Sequence, residues 1–414
     1  MKAPVFTPPL EKISVFGLGL IGGSLARDLR SSGFAKQIWG VDVSTGNCQK
    51  AIELGLVDKI VSRDVAVKES NFIVLAIPVD RIVEELPFVL DNMDKNSVVT
   101  DMGSTKETIC RLVSDHKNRG RYVASHPMAG TEDSGPAAAI AHLFANKTAV
   151  ICQEERIDRE ALDVVLKMYQ ALLMRVIFMP AEEHDRHVAF VSHLPHAISF
   201  ILAQTVLDEE SSDATIFELA SGGFESTARL GKSSPEMWTP IFDQNYSQVL
   251  EALRSFCVKL QQLCDKVRDR DLIGMNETIQ RANKIRRVLN HMADARADRQ
   301  LPKIGDGSFK KSLKQMRLQI DSIDSEIVRL LGLRQKLSNS VGQLKRKYKV
   351  EAVQENRWQQ VLDRCLKSAR DSGLNPDFVT GLYEQIHQES LNIQRSLAQN
   401  EAQEDGEDNV KSKF

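Results

Sequence analysis

A glycine-rich stretch near the start of the chain constrains its fold more than any other feature. The segment VFGLGLIGGS, residues 15–24, spaces Gly17, Gly19 and Gly22 in the pattern G-x-G-x-x-G. The apolar run before it is typical of a β-strand, and the residues after it are typical of a helix. A second apolar run ends at Asp42, twenty residues after Gly22. This order of strand, glycine turn, helix, strand and acid predicts the first unit of a dinucleotide-binding Rossmann fold.

The loop residues have separate roles in such a fold. Gly17 permits the tight turn, Gly19 lets the backbone approach a pyrophosphate, and Gly22 lets the helix pack closely on the strand. The helix N-terminus offers free N–H groups and a partial positive charge to the phosphates. Asp42 would accept hydrogen bonds from a ribose diol and repel a 2′-phosphate, which favours NAD over NADP. The alternative is a glycine turn that binds no ligand. The predicted cofactor contacts here are Gly17, Leu18, Gly19, Leu20, Ile21, Gly22 and Asp42.

The composition is that of an ordinary globular protein. The 414 residues are 42% hydrophobic and 27% charged, with a formal net charge of −2, and this length favours two or three domains. No concentrated basic stretch with interleaved aromatic residues supports nucleic-acid binding. We also expect no membrane span and no signal peptide. The six scattered cysteines form no C-x-x-C pair, which is typical of reduced thiols in a cytoplasm.

The chain divides by pattern into five parts. Strand-like and helix-like runs alternate over residues 1–180 and predict a parallel sheet with helices on both faces. Strand signals are absent from residues 181–295, which we assign to a helical domain. Residues 296–307 are polar and read as a linker, and residues 308–398 are helical again. The charged tail, residues 399–414, is predicted to be disordered.

A long amphipathic helix is predicted after the linker. Apolar residues at alternating spacings of three and four run from Leu313 to Leu344 and form a seam that needs a partner. Arg334 occupies one seam position, where an unpaired guanidinium is costly. Lys345 lies on nearly the same face, roughly 16 Å further along the axis. The two cations could converge on one small anion. The alternative is that Arg334 pairs with a glutamate of a neighbouring helix.

Polar residues follow two of the predicted strands. Ser104 comes after the run SVVTDM, and His126 lies at the end of the run YVASHP. Both should face the crevice at the carboxyl edge of the sheet, where ligands bind in open α/β folds. Further along, a glycine-led loop carries Arg229, whose planar guanidinium suits a substrate carboxylate. A surface salt bridge is the alternative for that arginine.

Four of the nine histidines lie close together in the sequence. They are His184, His187, His193 and His196. Pro195 interrupts the last pair, and neither a carboxylate nor a cysteine completes a typical zinc set, so we predict no metal. We expect His184 and His187 on the surface of a helix.

Several motifs resemble those of the prephenate dehydrogenase family over residues 1–292. They are GLGLIGGSLA, VLAIPV, TDMGSTK, SHPMAGTE, SHLPH and GGFESTARL. SHPMAGTE followed by SHLPH at this distance is specific to that family and its arogenate-using relatives. The resemblance implies a Rossmann domain joined to an all-helical domain that dimerises. It also implies oxidative decarboxylation of prephenate by NAD⁺ to 4-hydroxyphenylpyruvate.

The same resemblance assigns roles to individual residues. It implies that His126 takes the proton of the substrate's ring hydroxyl and that Arg229 holds a substrate carboxylate. It implies that Ser104 and Pro78 lie at the cofactor. The other residues implied to line the substrate pocket are Thr131, Glu132, Ser192, His196 and Trp238.

A second resemblance covers residues 308–398. LKQMRLQIDSID, LLGLRQKL, VGQLKRK, ENRW and ESLNIQ are similar to the small all-helical chorismate mutases, which dimerise through their long first helices. The resemblance implies that Arg334 and the partner's Arg317 hold the two carboxylates of chorismate. It implies that Lys345 and Gln394 hydrogen-bond the ether oxygen as its bond breaks. Arg357 and Ser390 are the other matching positions.

Two residues depart from the mutase pattern. Trp358 stands where that family has a glutamate for the substrate hydroxyl, and Gln354 replaces a common acid. The mutase could therefore be slow, altered in substrate, or reduced to a binding module.

The predicted fold class is an α/β Rossmann domain plus an all-α dimerisation domain, followed by a separate all-α three-helix mutase domain. Because a mutase makes the substrate of the dehydrogenase, we predict a bifunctional enzyme of tyrosine biosynthesis. We expect it to be cytoplasmic and homodimeric through both helical domains. The alternative is an arogenate or 4-amino-4-deoxyprephenate dehydrogenase with a regulatory C-terminal domain.

Overall fold

The computed structural model describes residues 8–210, 215–289, 324, 327–328, 330–345, 355–371 and 374–392. The chain divides into two compact units, Met1–Leu301 and Pro302–Phe414. The division lies within the segment that the sequence predicts as a linker, and that segment itself is outside the described residues.

An eight-stranded sheet forms the centre of the first unit. Its strands are β1 (Leu10–Phe16), β2 (Ala35–Val41), β3 (Lys59–Ile60), β4 (Phe72–Leu75), β5 (Val98–Asp101), β6 (Tyr122–Pro127), β7 (Thr148–Cys152) and β8 (Arg175–Met179). They lie in the order β3-β2-β1-β4-β5-β6-β7-β8. The first six strands in this order, β3-β2-β1-β4-β5-β6, are all parallel, which confirms the predicted Rossmann architecture.

The expectation of a wholly parallel sheet is wrong at β7, which runs antiparallel to β6. A parallel return needs a long crossover connection, usually a helix. Residues 128–147 contain only a short 3-10 turn, Pro136–Ala138, so the chain comes back in the opposite direction. The edge strand β8, which pairs parallel to β7, was not predicted.

Helices cover both faces of the sheet. They are α1 (Leu20–Ser31), α2 (Thr45–Glu53), α3 (Arg63–Glu69), α4 (Val79–Asn92), α5 (Glu107–Leu112) and α6 (Arg159–Ala171). On one face, Leu25 of α1 and Met168 of α6 pack with Val15 of β1. On the other face, Leu86 of α4 and Ile109 of α5 pack in the second core.

The described residues after β8 in the first unit contain helices and no strand. They form α7 (Ala181–Val188), α8 (Leu194–Glu210), α9 (Gly222–Ala228), α10 (Pro235–Gln244), α11 (Tyr246–Arg268) and α12 (Leu272–Asn283). A π-helical turn, Ala189–His193, joins α7 to α8. Pro195 lacks a backbone N–H and cannot make the regular helical hydrogen bond, which accounts for the irregular turn just before it.

The continuous helical run Ala181–Glu210 is long and apolar enough to cross a membrane by length and composition alone, which the sequence-based expectation missed. Its first turns nevertheless carry His184 and Asp185, and both are buried against the sheet. Its apolar side chains Val191, Ile201 and Leu207 are exposed in the single chain.

The second unit is helical throughout its described part. Its helices cover residues 330–345, Glu355–Asp371 and residues 376–392. The predicted seam residues Leu337 and Leu344 are exposed in the single chain. The earlier part of the predicted seam, from residue 313 to 323, lies outside the described residues.

Gly22→Ala is expected to lower the free energy of unfolding of the first unit. A Cβ at Gly22 would collide with the carbonyl oxygen of Gly17 and lie 3.1 Å from Val15 Cγ1, so the helix must shift from the strand. We expect a loss of about 1–3 kcal/mol in chemical denaturation. Gly46→Ala is the matched control, because its Cβ would meet only Ser44 Oγ at 3.7 Å in α2. Equal stability of the two variants would contradict the close packing assigned to Gly22.

Candidate active site

A cavity of about 540 Å³ opens at the carboxyl edge of the sheet. Its floor is formed by the loops that follow β1, β4, β5 and β6, and residues of the helical half cover it. The strand order reverses between β1 and β4, which is where open α/β sheets bind ligands. The cavity brings together these predicted site residues: Gly19, Leu20, Ile21, Pro78, Ser104, His126, Thr131, Glu132, Ser192, His196, Arg229 and Trp238.

The glycine loop has the geometry that a dinucleotide needs. Gly17 adopts φ +84°, and a Cβ there would collide with the Ala76 carbonyl oxygen. By contrast, a Cβ on Gly19 would meet no heavy atom within 4 Å, so the space beside it is open to a ligand. Helix α1 begins after Gly19 with neither a side-chain cap nor an acidic residue in its first turn. Its first N–H groups therefore remain available for a phosphate.

Asp42 lies just beyond β2 and ties the loop in place. Its Oδ2 accepts a hydrogen bond from the Leu18 N–H at 2.8 Å, and its Oδ1 accepts one from the Ser44 N–H at 2.8 Å. A carboxylate has about four lone-pair sites, so it can still accept from a ribose hydroxyl. The sequence predicted Asp42 as a ligand contact but not as a support of the loop. Gly17, Leu18, Gly22 and Asp42 build the loop without being part of the cavity lining.

His126 is a buried imidazole at the cavity wall. Its Nδ1 lies 2.9 Å from His184 Nε2, and His184 Nδ1 lies 2.7 Å from Asp185 Oδ1. Burial, reinforced by His184, Lys106 and His193, holds the pKa of His126 well below its usual value, so the ring is neutral near pH 7.

The prediction that His184 lies on a helix surface is wrong. The residue is 1% exposed, because α7 packs against α5 and presents His184 towards β6. His187, one turn later, is exposed and lies 3.7 Å from Glu183. Within the described residues, no group of three or more His, Cys, Asp or Glu could hold a metal ion.

Aromatic rings form the helical wall of the cavity. Trp238 stacks on His196 with ring centroids 3.7 Å apart and contacts His193 edge-on at 5.7 Å. Burial lowers the pKa of His193 to about 4 and also lowers the pKa of His196. The Nε1–H of Trp238 is buried and has no hydrogen-bond partner within the described part of the chain. A polar group in the cavity could accept this hydrogen.

Arg229 meets Glu132 across the cavity mouth. Its Nη1 lies 2.6 Å from Glu132 Oε2, which is the salt bridge that the sequence left open as an alternative. A backbone hydrogen bond and the charge of Arg229 lower the pKa of Glu132. A guanidinium has five N–H donors, so this contact leaves others for a second anion.

In the second unit, Arg334 points at the helix of residues 376–392. Its Nη1 donates to Ser390 Oγ at 2.7 Å and lies 3.4 Å from the Ile386 carbonyl oxygen. Both partners are neutral. Burial, with the charges of Arg334 and Lys345, lowers the pKa of His387, which places these groups near one another.

Trp358, the residue that departs from the mutase pattern, stacks on His387 with centroids 4.2 Å apart and planes at 11°. This position therefore packs on His387 rather than presenting an acid. Arg317, Gln354 and Gln394 lie outside the described residues, as does the side chain of Arg357.

Models of three protein families match the chain. The prephenate dehydrogenase nucleotide-binding domain matches residues 25–178, and the prephenate dehydrogenase dimerization domain matches residues 180–281. Chorismate mutase type II matches residues 316–395.

Several prephenate and arogenate dehydrogenases are similar to this chain over about its first two thirds. The prephenate dehydrogenase of Bacillus subtilis is 29% identical over 266 residues, which are 63% of this chain and 71% of the relative. The crystal structure of prephenate dehydrogenase from Aquifex aeolicus is 30% identical, with a TM-score of 0.61 over 67% of this chain and 98% of that one. A second structure of that protein, with hydroxyphenyl propionate and NAD⁺, has a TM-score of 0.63 at 29% identity over 68% of this chain and 99% of that one. The crystal structure of Synechocystis arogenate dehydrogenase has a TM-score of 0.55 at 31% identity, and the match covers 67% of this chain and 99% of that one.

Asp42→Ala is expected to narrow the preference for NAD over NADP. Removing the carboxylate removes both the acceptor for the ribose hydroxyls and the repulsion of a 2′-phosphate. We expect the loss mainly in the affinity for NAD, measured by titration of each cofactor. Asp64→Ala, an exposed acid in α3, serves as the control. A wild-type protein that binds both cofactors equally would contradict the role given to Asp42.

Proposed function

The chain belongs to the prephenate dehydrogenase family, and from this premise we propose that its cavity oxidises and decarboxylates prephenate with His126 as the base. It is a bifunctional enzyme of tyrosine biosynthesis that joins prephenate dehydrogenase domains to a chorismate mutase domain, and this confirms the sequence-based prediction. The observation that carries the proposed mechanism is the neutral, buried His126 in the same cavity as the glycine loop.

The first unit is an NAD-binding unit, as predicted. We assign the phosphates to the first turn of α1 beside Gly19, and the adenosine ribose to Asp42. Pro78 and Ser104 line the same cavity and would flank the nicotinamide. When bound, NAD⁺ supplies the hydride acceptor for the reaction.

His126 is suited to take the proton from the C4 hydroxyl of prephenate. A neutral imidazole can accept a proton at pH 7, and burial keeps this ring neutral. As the proton leaves oxygen, the C4–H bond gives up its hydride to NAD⁺. The C1–carboxylate bond then breaks, its electron pair makes the ring aromatic, and carbon dioxide departs. The resulting phenolate oxygen takes the proton back from His126, so the product carries a hydroxyl. Aromatisation supplies the driving force, so the protein chiefly holds the groups in position and accepts one proton.

The substrate's charged groups would be held at the cavity mouth. Arg229 has donors beyond its contact with Glu132 and would bind a carboxylate. The Nε1–H of Trp238, which has no hydrogen-bond partner among the described residues, would line the rest of the pocket. The ring of His196, Thr131 and Ser192 would complete this lining.

The fused mutase domain favours prephenate as the substrate of the dehydrogenase, because chorismate rearrangement yields prephenate directly. Relatives include both a prephenate and an arogenate dehydrogenase, so arogenate is the second candidate. The ratio of kcat/KM for the two compounds decides between them.

We assign the mutase site to Arg334 and Lys345, with Ser390 supporting the arginine. The arginine's partners in the described helices are neutral, which leaves its charge available to a substrate carboxylate. Arg317, Arg357 and Gln394 complete the proposed set. A pericyclic rearrangement needs no nucleophile, so donors that meet charge developing on the ether oxygen are sufficient.

The chain carries a dimerisation domain, which implies a homodimer. We propose that the exposed apolar side chains of α8 and α12, such as Ile201, Leu207, Leu272 and Ile273, are covered by a second copy. Burial against the second copy would also explain why the helical run Ala181–Glu210 is so apolar, with no need for a membrane. As in its family of soluble metabolic enzymes, we place the protein in the cytoplasm.

His126→Asn is expected to lower kcat for prephenate oxidation by about 10²–10⁴-fold, since an amide cannot act as the base. The affinity for NAD should stay unchanged, because the cofactor contacts assigned above, the first turn of α1, Asp42, Pro78 and Ser104, do not include His126. NADH formation and NAD titration measure the two effects. His187→Asn, on the exposed face of α7, is the control. Near-normal turnover by His126→Asn would remove the residue from the mechanism.

Arg334→Leu is expected to abolish chorismate rearrangement while the dehydrogenase activity on added prephenate is retained. A leucine suits a seam position, so the melting temperature should stay the same or rise. Both activities and thermal melting are measured on one preparation. Lys336→Leu, exposed on the same helix, is the control. A destabilised Arg334→Leu protein with unchanged mutase turnover would identify the arginine as structural.

A further inference from the structure

We propose that His184 and Asp185 are positioning residues for the dehydrogenase reaction, which fix His126 in the one tautomer that leaves its Nε2 bare to accept a proton. The proposal rests on the function proposed above, in which His126 is the base. Neither residue is part of the cavity lining, and the sequence had placed His184 on a helix surface.

The chain of hydrogen bonds begins at the carboxylate of Asp185. Its Oδ1 accepts from the backbone N–H of Lys106 at 2.8 Å, and its Oδ2 accepts from the N–H of Glu107 at 2.9 Å. These are N–H groups at the start of α5, where a helix favours negative charge. Asp185 is 1% exposed, so both oxygens are held by donors in the protein interior. Both carboxylate oxygens therefore act as hydrogen-bond acceptors.

The next link follows from what a carboxylate can do. His184 Nδ1 lies 2.7 Å from Asp185 Oδ1, so this nitrogen must carry a hydrogen. Burial lowers the pKa of His184, so the ring is neutral and has one N–H. Its Nε2 is therefore a bare acceptor.

The last link reaches the cavity. His184 Nε2 lies 2.9 Å from His126 Nδ1, and one hydrogen must lie between the two nitrogens. Because His184 Nε2 is bare, the hydrogen belongs to His126 Nδ1. His126 is neutral as well, so its Nε2 keeps a free lone pair.

The opposite arrangement fails at Asp185. If His184 carried its hydrogen on Nε2, its bare Nδ1 would face a buried carboxylate oxygen at 2.7 Å. Two acceptors would then meet in the protein interior with no hydrogen between them, and both would lose a hydrogen bond at the full cost of their desolvation. In that arrangement, His126 would carry its hydrogen on Nε2 and could not accept the substrate's proton.

Other contacts hold Asp185 in place from the helical half. Asn245, between α10 and α11, donates from Nδ2 to the Asp185 carbonyl oxygen at 2.8 Å. The same amide lies 3.2 Å from His193 Nδ1. On the sheet side, the buried Lys106 side chain pairs with Asp101, which anchors the residue whose N–H binds Asp185. The tautomer of His126 is thus set by groups from both halves of the first unit.

Two substitutions of His184 separate positioning from packing. His184→Phe keeps a ring but removes the acceptor for His126 Nδ1–H. His184→Gln keeps an acceptor, because the glutamine Oε1 lies as many bonds from the backbone as Nε2 of histidine. His187→Phe, exposed on the same helix, is the matched control.

We expect His184→Phe to lower kcat for prephenate by on the order of 10²-fold, a loss within the range for general base catalysis, while KM and NAD affinity change little. His184→Gln should recover most of that loss. His187→Phe should match the wild type. Mutase activity and thermal melting of the same preparations confirm that each variant is folded.

Wild-type turnover by His184→Phe would overturn the proposal. Equal losses in the phenylalanine and glutamine variants, with a lowered melting temperature, would also overturn it, because they would mark a packing role. If His126→Asn is inactive while His184→Phe is normal, only the positioning role fails. If the wild type does not oxidise prephenate with NAD⁺ at all, the proposed function itself fails.

Discussion

The buried carboxylate of Asp185 is the interaction on which the arrangement of the first unit depends. It accepts hydrogen bonds from two backbone N–H groups at the start of α5, which belongs to the sheet half, and from His184, which belongs to the helical half. Burying a carboxyl group is costly unless its oxygens are hydrogen-bonded. This requirement fixes where α7 lies against the sheet. Together with the contact of Thr105 with Gln244 and the packing of Val79 on Trp238, the carboxylate holds the two halves together beside the cavity.

The sheet half and the helical half contribute different residues to the cavity. The parallel sheet places loop residues such as Ser104 and the end of β6 at one edge, beside the N-terminus of α1. The helical half covers that edge with a ring, Trp238, and a cation, Arg229. The π-helical turn before Pro195 carries Ser192 to the cavity. With the driving force coming from aromatisation, such a site needs orientation and one base rather than elaborate chemical groups.

Features that depend on local sequence were predicted, and features that depend on distant contacts were not. The glycine spacing and the alternating runs predicted the Rossmann architecture, and strand ends predicted that Ser104 and His126 share a crevice. The contact of His126 with His184 joins residues 58 positions apart, so no local pattern reveals it. The one available signal was a histidine next to an aspartate just after a strand-like run. The antiparallel β7 was missed although the absence of a helical run in residues 128–147 pointed to it.

Because the two domains are fused, one chain makes prephenate and then oxidises it. The purified protein is given chorismate and NAD⁺ with no added prephenate, and NADH is followed after the uncatalysed rearrangement is subtracted. We expect NADH from chorismate at a rate well above that background, and none from an Arg334→Leu protein that still oxidises added prephenate. NADH formation only when prephenate is added to the wild type would contradict the claim and reduce the second unit to a binding module.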